Sequence, residues 1–194
     1  MPDQDILIRK ITSAGIKELQ QLSRETFLET FARDNTRENM QRYSDEAFSL
    51  KKLAEEINRP GSAFYFAVLG GKAIGYLKIN RGQAQTEFPN ENGLEIERIY
   101  VLQEFHGKKA GQILFDKALE TAISCKSDYI WLGVWEKNPK AIRFYKKNGF
   151  VESGTHIFKL GDDRQTDIIM KRELKSTGID APPAKYCSPL RQGE

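Results

Sequence analysis

Two glycines and two lysines lie together in the run EFHGKKAGQILF, which covers residues 104–115. Gly107 and Gly111 give the backbone local freedom, because glycine tolerates conformations that other residues avoid. Lys108 and Lys109 add positive charge where the first N–H groups of a following helix have no intrahelical partner. Unpaired N–H groups and positive charge together suit the binding of an anion such as a phosphate. The alternative is a basic, glycine-containing turn that leads into an ordinary helix.

A pair of carboxylates precedes this run, in the segment LEIERIYVL of residues 94–102, which predicts a strand. Glu95 and Glu97 are two residues apart, so a strand would place both side chains on one face. A carboxylate in that position could act as the base that removes a proton from a nucleophile. The alternative is that both are strand charges that face solvent or form salt bridges with Arg98.

A tyrosine follows in the segment NPKAIRFYKKNG, residues 138–149, which has the punctuation of a helix. Asn138 is a typical N-cap, Pro139 suits the first turn, and Gly149 suits the position just past the end. Tyr145 carries a phenol hydroxyl, which can donate a hydrogen bond. The alternative is that Tyr145 belongs to the apolar side of an amphipathic helix that packs in the core.

The rest of the chain predicts the elements that would position these residues. A first strand precedes three amphipathic helices, a hairpin and the strand that carries the two carboxylates. A helix then leads from the glycine run to YIWLGVW, a near-continuous apolar strand of the kind covered on both faces. The helix with Tyr145 and two last strands complete the order. The predicted strands are 6–11, 63–69, 73–79, 94–102, 129–135, 150–159 and 167–174, and predicted helices include 36–48, 49–58 and 138–149.

The strand IERIYV, the run HGKKAG at a helix start, a buried strand and the later NPKAIRFYKKNGF together resemble the GNAT superfamily of acetyl-CoA-dependent N-acetyltransferases. The resemblance spans about residues 5–174 in element order. Within the superfamily, LEIERIYV, WLGVWEKN and FYKKNGF are most similar to the bacterial spermidine/spermine acetyltransferases of the PaiA type.

This resemblance implies an α/β (α+β) fold, with a mixed, mostly antiparallel central sheet of about seven strands and helices on both faces. Residues 1–174 would form the acetyltransferase domain. Residues 175–194 hold three of the seven prolines and no periodic apolar pattern, so we expect them to form a polar tail outside the core.

The resemblance further implies that the run His106–Gly111 holds the pyrophosphate of acetyl-CoA. The family's loop is usually Gln/Arg-x-x-Gly-x-Gly/Ala, so Gly111 is kept whereas His106 and Lys109 depart from the pattern. A lysine fits at position 109 if its φ is negative. A positive φ would cost about 1 kcal/mol and weaken cofactor binding, unless the lysine side chains pair with phosphates. The residues assigned to the cofactor are Ile99, Tyr100, Val101, His106, Gly107, Lys108, Lys109, Ala110, Gly111, Gln112, Asn138 and Lys147.

The family also supplies roles in acetyl transfer. An alkylamine is almost wholly protonated at pH 7, so it must lose a proton before it attacks a thioester. Glu97 is the first choice for the base, directly or through water, and Glu95 is the second. A backbone N–H around Ile99–Val101 would stabilise the developing oxyanion, and Tyr145 would protonate or hydrogen-bond the departing thiolate.

Two of the polar residues, Asn138 and Lys147, have a second interpretation, and two histidines need a separate assessment. Asn138 would contact CoA, yet it could be only an N-cap, and Lys147 would either reach CoA phosphates or face solvent. His106 lies in the predicted phosphate loop and His156 in a late strand, and neither lies beside a recognisable nucleophile motif. We therefore expect neither histidine to be catalytic.

The expected acceptor is a primary amine, most specifically a polyamine such as spermidine or spermine. Several carboxylates at intervals would suit a flexible chain that carries several positive charges. Glu29 on the first helix and Glu95 are the predicted substrate-binding residues. Transfer would be direct, in a ternary complex. The alternatives are a protein or peptide amine acetyltransferase and a catalytically weak regulatory module that binds acetyl-CoA.

The composition sets the remaining expectations. The chain has 194 residues, 39% hydrophobic and 29% charged, which predicts one soluble domain. Its net charge of +3 is mild and spread along the chain, which argues against nucleic-acid binding. The sequence has no apolar run of membrane-spanning length and no apolar signal segment, so we expect no membrane partner and a cytoplasmic location. Its two cysteines lack metal-ligand spacing, so we expect no metal. A homodimer through the late strands is common in the family, but no residue of this sequence establishes one.

Overall fold

The computed structural model describes residues 5–160 and 163–174. This part of the chain forms seven strands and five helices, with three short 3₁₀ turns between them. None of these helices combines the length and apolar character needed to cross a lipid bilayer. The strands are β1 (Leu7–Lys10), β2 (Ser62–Leu69), β3 (Lys72–Arg81), β4 (Gly93–Val101), β5 (Tyr129–Trp135), β6 (Val151–Leu160) and β7 (Asp163–Glu173); the helices are α1 (Ile16–Phe31), α2 (Arg37–Ala47), α3 (Leu50–Asn58), α4 (Ala110–Ser124) and α5 (Pro139–Lys147).

The predicted order of these elements is confirmed. β5 has the predicted bounds, and the Asn138 side chain caps α5 by accepting a hydrogen bond from the Ala141 N–H at 3.1 Å. The predicted start of β7 at residue 167 was wrong. β7 begins at Asp163, because Leu160 and Asp163 pair in the β6–β7 hairpin and polar residues there continue the ladder. The tail predicted for residues 175–194 lies outside the described residues.

The seven strands form one sheet in the order β1-β2-β3-β4-β5-β7-β6. The β4–β5 pair is parallel and every other neighbouring pair is antiparallel, as the mixed, mostly antiparallel prediction requires. Pairing between β4 and β5 runs only from Gly93↔Tyr129 to Glu95↔Trp131, although β4 continues to Val101 and β5 to Trp135. The two strands therefore diverge beyond Glu95 and open the middle of the sheet.

A β-bulge interrupts β4 at the same place. Opposite β3, Lys78 pairs with Arg98 but the next residue, Ile79, pairs with Ile96, so Glu97 is the extra residue. In a regular strand, consecutive side chains point to opposite faces, whereas a bulge re-aims one of them. Glu97 and Arg98 consequently share a face, where their side chains form an ion pair at 3.2 Å.

Helices cover both faces of the sheet, as predicted. α4 packs on one face, where its residues Leu114 and Ala118 are fully buried in the largest core cluster. α1 and α3 pack on the other face through Leu19 and Leu53, which are also fully buried. Full burial of each leucine side chain contributes about 2 kcal/mol to folding. The sheet is thus a rigid support for the opening between β4 and β5.

Candidate active site

A cleft of about 1060 Å³ lies where β4 and β5 diverge. Its walls include almost every residue that the sequence assigned to a site. The exception is Lys108, whose ammonium lies 4.8 Å from the centre of the Phe105 ring instead of lining the cleft. The predicted residues in the cleft wall are Glu29, Glu95, Glu97, Ile99, Tyr100, Val101, His106, Gly107, Lys109, Ala110, Gly111, Gln112, Asn138, Tyr145 and Lys147.

The loop of residues 106–109, here called the phosphate loop, leads into the first turn of α4. Gly107 has φ +81, and α4 begins at Ala110, so the first N–H groups of this helix have no intrahelical acceptor. A Cβ added at Gly107 or Gly111 would meet no atom within 4 Å. Open space in front of unpaired N–H groups at a helix N-terminus fits a bound pyrophosphate. The loop can therefore hold the diphosphate of CoA mainly through its backbone.

Lys109 adopts the left-handed conformation, with φ 64 and ψ 0. The sequence analysis allowed either sign of φ at position 109, and the structure has the positive φ, which is the less favourable one for a lysine. A lysine in this region costs about 1 kcal/mol relative to an ordinary backbone conformation. The Lys109 side chain is exposed in the wall of the cleft and forms no ion pair within the described residues. Its ammonium is therefore available to a phosphate.

His106 fixes the phosphate loop to two other elements. Its Nε2 lies 2.8 Å from the Val101 carbonyl oxygen, and its Nδ1 lies 2.9 Å from the Lys140 Nζ. One neutral tautomer satisfies both contacts, because Nε2–H donates to the carbonyl while Nδ1 accepts from the ammonium. His106 thus has a positioning role at the end of β4 and the start of α5.

The backbone of β4 presents polar groups to the cleft. The Leu102 N–H donates to the Ile74 carbonyl at 2.9 Å, so alternate residues of β4 bond to β3. In an antiparallel ladder the intervening residues direct their N–H and C=O groups the other way. The backbone N–H and C=O groups of Ile99 and Val101 consequently point toward β5, where the two strands have separated. Their N–H groups are oriented to donate to a ligand held between the two strands.

Tyr145 lies in α5 at the edge of the cleft and is 7% exposed. Its ring packs against Phe144 and Phe150, with ring centres 5.4 and 5.8 Å apart. Its hydroxyl has no hydrogen-bond partner among the residues that the structure describes, and burial raises the pKa of the phenol. Tyr145 is therefore a core residue and a neutral hydroxyl at the cleft at once, so the two sequence interpretations are compatible.

Glu97 belongs to a buried ion-pair network. Its carboxylate lies 2.6 Å from the Lys78 Nζ, and Lys78 and Arg98 also contact Glu56 of α3 at 3.1 and 2.8 Å. Burial acts to raise the pKa of Glu97, but Arg98 and Lys78 more than offset it and hold the pKa below its ordinary value. Glu97 is thus a stable carboxylate, and the sequence alternative of a salt bridge with Arg98 is realised.

Glu95 lies on the same face as Glu97, as their spacing predicted, because the Asn80 amide donates to both carboxylates at 2.9 and 2.6 Å. The Glu95 side chain also accepts hydrogen bonds from the N–H and hydroxyl of Thr86. Burial raises the pKa of Glu95 although these hydrogen bonds oppose the shift. Glu95 consequently binds a proton more readily than an exposed carboxylate does.

Glu29, the other predicted substrate residue, is exposed at the cleft. Its carboxylate accepts a hydrogen bond from the Gln103 N–H at 2.9 Å and so connects α1 to the turn after β4. The sequence analysis missed Lys78, Asn80 and Thr86, which hold Glu95 and Glu97 in place. A signal existed for Lys78, because a lone lysine within the apolar strand AIGYLKI would need a buried carboxylate partner.

Comparison with known proteins places the chain among acetyltransferases. The profile of the acetyltransferase (GNAT) family matches residues 16–150. An uncharacterized N-acetyltransferase in the pepI 3′ region of Lactobacillus delbrueckii subsp. lactis is 41% identical over 169 residues, which cover 87% of this chain and 98% of that protein. A spermidine N(1)-acetyltransferase of Thermoplasma acidophilum is 27% identical over 88% of this chain and 99% of its own length.

The fold has counterparts among solved structures. The PaiA N-acetyltransferase of Thermoplasma acidophilum, in complex with coenzyme A, superimposes with a TM-score of 0.74 at 26% identity. This match covers 88% of the present chain and 99% of that protein. A ribosomal-protein-alanine N-acetyltransferase from Brucella melitensis superimposes with a TM-score of 0.68 at 21% identity, over 87% and 99% of the two chains, and shares the fold.

Proposed function

The chain belongs to the acetyltransferase (GNAT) family, and from this premise we propose that it acetylates a primary amine of a polyamine such as spermidine. It is an N-acetyltransferase that uses acetyl-CoA. Two comparisons support the finer assignment, because one finds a spermidine N(1)-acetyltransferase and the other a PaiA structure, both from Thermoplasma acidophilum. Transfer is direct, within a ternary complex.

The observation that carries this proposal is a separation of charge along the cleft. The lysines in the described wall lie in the phosphate loop or in the segment 137–147, on the side proposed for CoA. The carboxylates of the wall belong to other segments, namely α1 and the turn after it, the loop after β3, and strands β4 and β7, and the one arginine of the wall, Arg98, is paired with Glu56 and Glu97. An acidic side attracts a flexible polycation and orients it toward the thioester. These carboxylates are Glu29, Asp34, Glu87, Glu95, Glu97 and Asp167.

The cofactor side holds acetyl-CoA through the phosphate loop and the first turn of α4. When bound, acetyl-CoA supplies a thioester whose carbonyl carbon an amine can attack. The N–H groups of Ile99 and Val101 would donate to the carbonyl oxygen as negative charge develops on it. Asn138 and Lys147, in the same wall, would contact the CoA chain and its phosphates.

A base must take the proton that the amine loses. We assign this role to Glu95, directly or through water, because its raised pKa brings a carboxylate closer to the working pH. Glu97, the first choice from sequence, is held by Lys78 and Arg98 and its pKa is lowered, which makes it a weaker base. Glu97 would instead hold Asn80, which donates to Glu95.

Tyr145 is the proposed proton donor to the departing thiolate. A buried phenol with a raised pKa stays neutral and keeps its proton at neutral pH. Its hydroxyl has no competing acceptor in the described part of the chain, so it is free to donate when the thiolate forms. Proton donation of this kind contributes about 10²–10⁴-fold to a rate.

One observation favours a second candidate, a module that binds acetyl-CoA with little catalysis. Lys109 stands in a left-handed position where the family's loop usually has glycine. In this second candidate, lysine at position 109 would weaken cofactor binding. The carboxylates and Tyr145 in the same cleft favour an enzyme, so this candidate is the alternative outcome of the test below.

Thiol release from acetyl-CoA tests the proposal. We would offer the purified full chain spermidine, spermine, putrescine, lysine peptides and aminoglycosides, with and without Tyr145→Phe. Release with polyamines that falls sharply in the variant supports the substrate and the role of Tyr145. Release only with lysine peptides would assign a protein or peptide acceptor, and acetyl-CoA binding without release for any amine would favour the regulatory module.

A further inference from the structure

A gap in the otherwise closed surface of β5 faces the carboxylate-lined part of the cleft, here called the acceptor side. Gly133 is the exposed position of a strand whose other residues are all buried. Side chains alternate along a strand, so Gly133 shares a face with Trp131 and Trp135, which are 2% and 7% exposed. The absent side chain leaves an opening on this face, where, apart from the residues next to Gly133 in the chain, Asp167 provides the only atoms of the described residues within 4 Å of the position that a Cβ would take. We call this opening the notch.

A carboxylate stands at the edge of the notch. Asp167 of β7 pairs with Trp135 of β5, and its Oδ2 lies 3.5 Å from the position that a Cβ of Gly133 would take. The Asp167 side chain therefore leans across the ladder toward the space that glycine leaves open. Any larger residue at position 133 would stand against this carboxylate.

Asp167 differs from the other carboxylates of the cleft in its contacts. It is half-buried, yet it accepts no hydrogen bond from any residue in the two described ranges. Buried or half-buried polar groups normally have a partner, and those without one need an explanation. The others are paired or exposed: Glu29 with the Gln103 N–H, Glu87 with His156, Glu95 with Thr86 and Asn80, Glu97 with Lys78 and Arg98, and Asp34 with its side chain in solvent.

The surroundings of Asp167 strengthen this distinction. His156 pairs with Asp167 across the β6–β7 ladder, but its Nδ1 contacts the Glu87 carboxylate at 2.6 Å. Its Nε2 is buried and has no described partner. The imidazole thus bonds to Glu87 and interacts with Asp167 only electrostatically, which leaves the hydrogen-bonding capacity of the Asp167 carboxylate for a ligand.

We propose that Asp167, at the notch left by Gly133, receives a cationic nitrogen of the acceptor and so determines the preference for polycationic amines. A primary ammonium donates three hydrogen bonds and is small enough for an opening the size of one side chain. Trp131 and Trp135 add buried apolar surface on the same face of β5. This inference deepens the proposed function and rests on it for the identity of the amine.

Equilibrium binding tests the inference separately from catalysis. Calorimetry would measure spermidine binding to the full chain in the presence of CoA, for wild type, Asp167→Asn and Glu136→Gln. Glu136 is an exposed carboxylate next to Trp135 and outside the cleft wall, so its variant makes the same change in charge nearby. Loss of a hydrogen bond to a charged group costs about tenfold or more in affinity. We expect that loss for Asp167→Asn and less than about twofold for Glu136→Gln.

A second variant fills the notch without a change in charge. Gly133→Val places methyl groups in the opening, and valine favours strand conformation more than glycine does. We expect spermidine affinity to fall about tenfold while the unfolding temperature does not decrease. The affinity for acetyl-CoA should stay within about twofold of wild type in Asp167→Asn and in Gly133→Val, because neither substitution changes the phosphate loop.

The outcomes separate this inference from the proposed function. Spermidine affinity that is the same in Asp167→Asn and Glu136→Gln overturns the role of Asp167 and leaves polyamine acetylation standing. Spermidine that binds through Asp167 but is not acetylated by wild type supports the inference and overturns the proposed function. Wild type that binds no spermidine overturns both.

Discussion

At one side of the cleft, the phosphate loop and the first turn of α4 present backbone N–H groups; at the other side, β4 and β7 present carboxylates. The backbone groups are oriented mainly by local features, namely Gly107 and the start of a helix, and His106 adds contacts to Val101 and Lys140. The carboxylates are oriented by side chains from other elements, such as Lys78 of β3 and Glu56 of α3. We therefore expect the cofactor side to tolerate changes of side chain better than the acceptor side, where each carboxylate depends on its partners.

The largest expected effect is the loss of stability when the ion-pair network of the acceptor side is broken. Glu97→Gln removes the negative charge that pairs with the buried Lys78 and Arg98. The positive charges left without this partner should lower the unfolding free energy by about 3 kcal/mol. Chemical denaturation at pH 7 measures this. The pKa of Glu97 is lowered in the folded protein, so its contribution exists at neutral pH and is lost as the pH falls through that lowered value.

Glu18→Gln is the matched control for this prediction. It removes a carboxylate from the Arg9–Glu18 pair, in which both side chains are largely exposed. Exposed pairs contribute about 0–1 kcal/mol, so this variant should unfold near the wild-type midpoint. Equal losses in the two variants would show that the buried network is no more important than a surface pair.

The next effect concerns Tyr145, which lies where the two sides meet. Tyr145→Phe removes only the hydroxyl and should lower kcat about 100-fold, because the departing thiolate loses its proton donor. The dissociation constant of acetyl-CoA should change much less. Tyr129→Phe, which removes a hydroxyl that contacts Glu91 away from the cleft, serves as the control and should keep its kcat. Unchanged turnover in Tyr145→Phe would remove this residue from the mechanism.

A smaller effect is expected in the pH dependence of the rate. The deprotonated form of Glu95 is the proposed base, and its pKa is raised, so kcat/KM should fall as the pH decreases through that raised value. Glu95→Gln should lack this decline and should be at least about tenfold slower at pH 8. A pH–rate profile of both proteins, with unfolding curves alongside, checks this. A decline that persists in Glu95→Gln would assign the titration to another group.

The difference between the cofactor side and the acceptor side also determines how much of the structure the sequence could predict. The order of elements, the bounds of β5 and the start of α5 follow from periodicity and from local caps such as Asn138 and Pro139. The phosphate loop is local too, so its glycines and its place before a helix were visible. Each of these features is determined by residues that are neighbours in the chain.

The acceptor side could not be predicted in the same way, because its geometry depends on register between distant segments. The bulge at Glu97 depends on how β3 pairs with β4, and the notch depends on Asp167 reaching across from β7 to Gly133. Asp167 carries no motif, and only its position beside β5 distinguishes it from other charged strand residues. The choice between Glu95 and Glu97 as the base depends on distant contacts too, since burial raises the pKa of Glu95 whereas Arg98 and Lys78 outweigh burial and lower the pKa of Glu97.

The smallest expected effect tests the strained lysine of the cofactor side. Lys109→Gly removes a left-handed non-glycine residue and should stabilise the fold by about 1 kcal/mol. Lys126 has φ 54 outside the cleft, so Lys126→Gly is a matched control with a similar gain in stability and no effect on the cofactor.

The two glycine variants should differ in their affinity for acetyl-CoA. The wild-type loop already has its left-handed conformation, so the strain is a cost of folding and not of binding. Lys109→Gly loses an ammonium beside the phosphates, so its affinity should fall severalfold and depend less on salt. Titration at two salt concentrations measures this. Tighter binding by Lys109→Gly would show instead that lysine at this position weakens cofactor binding, as a regulatory module would require.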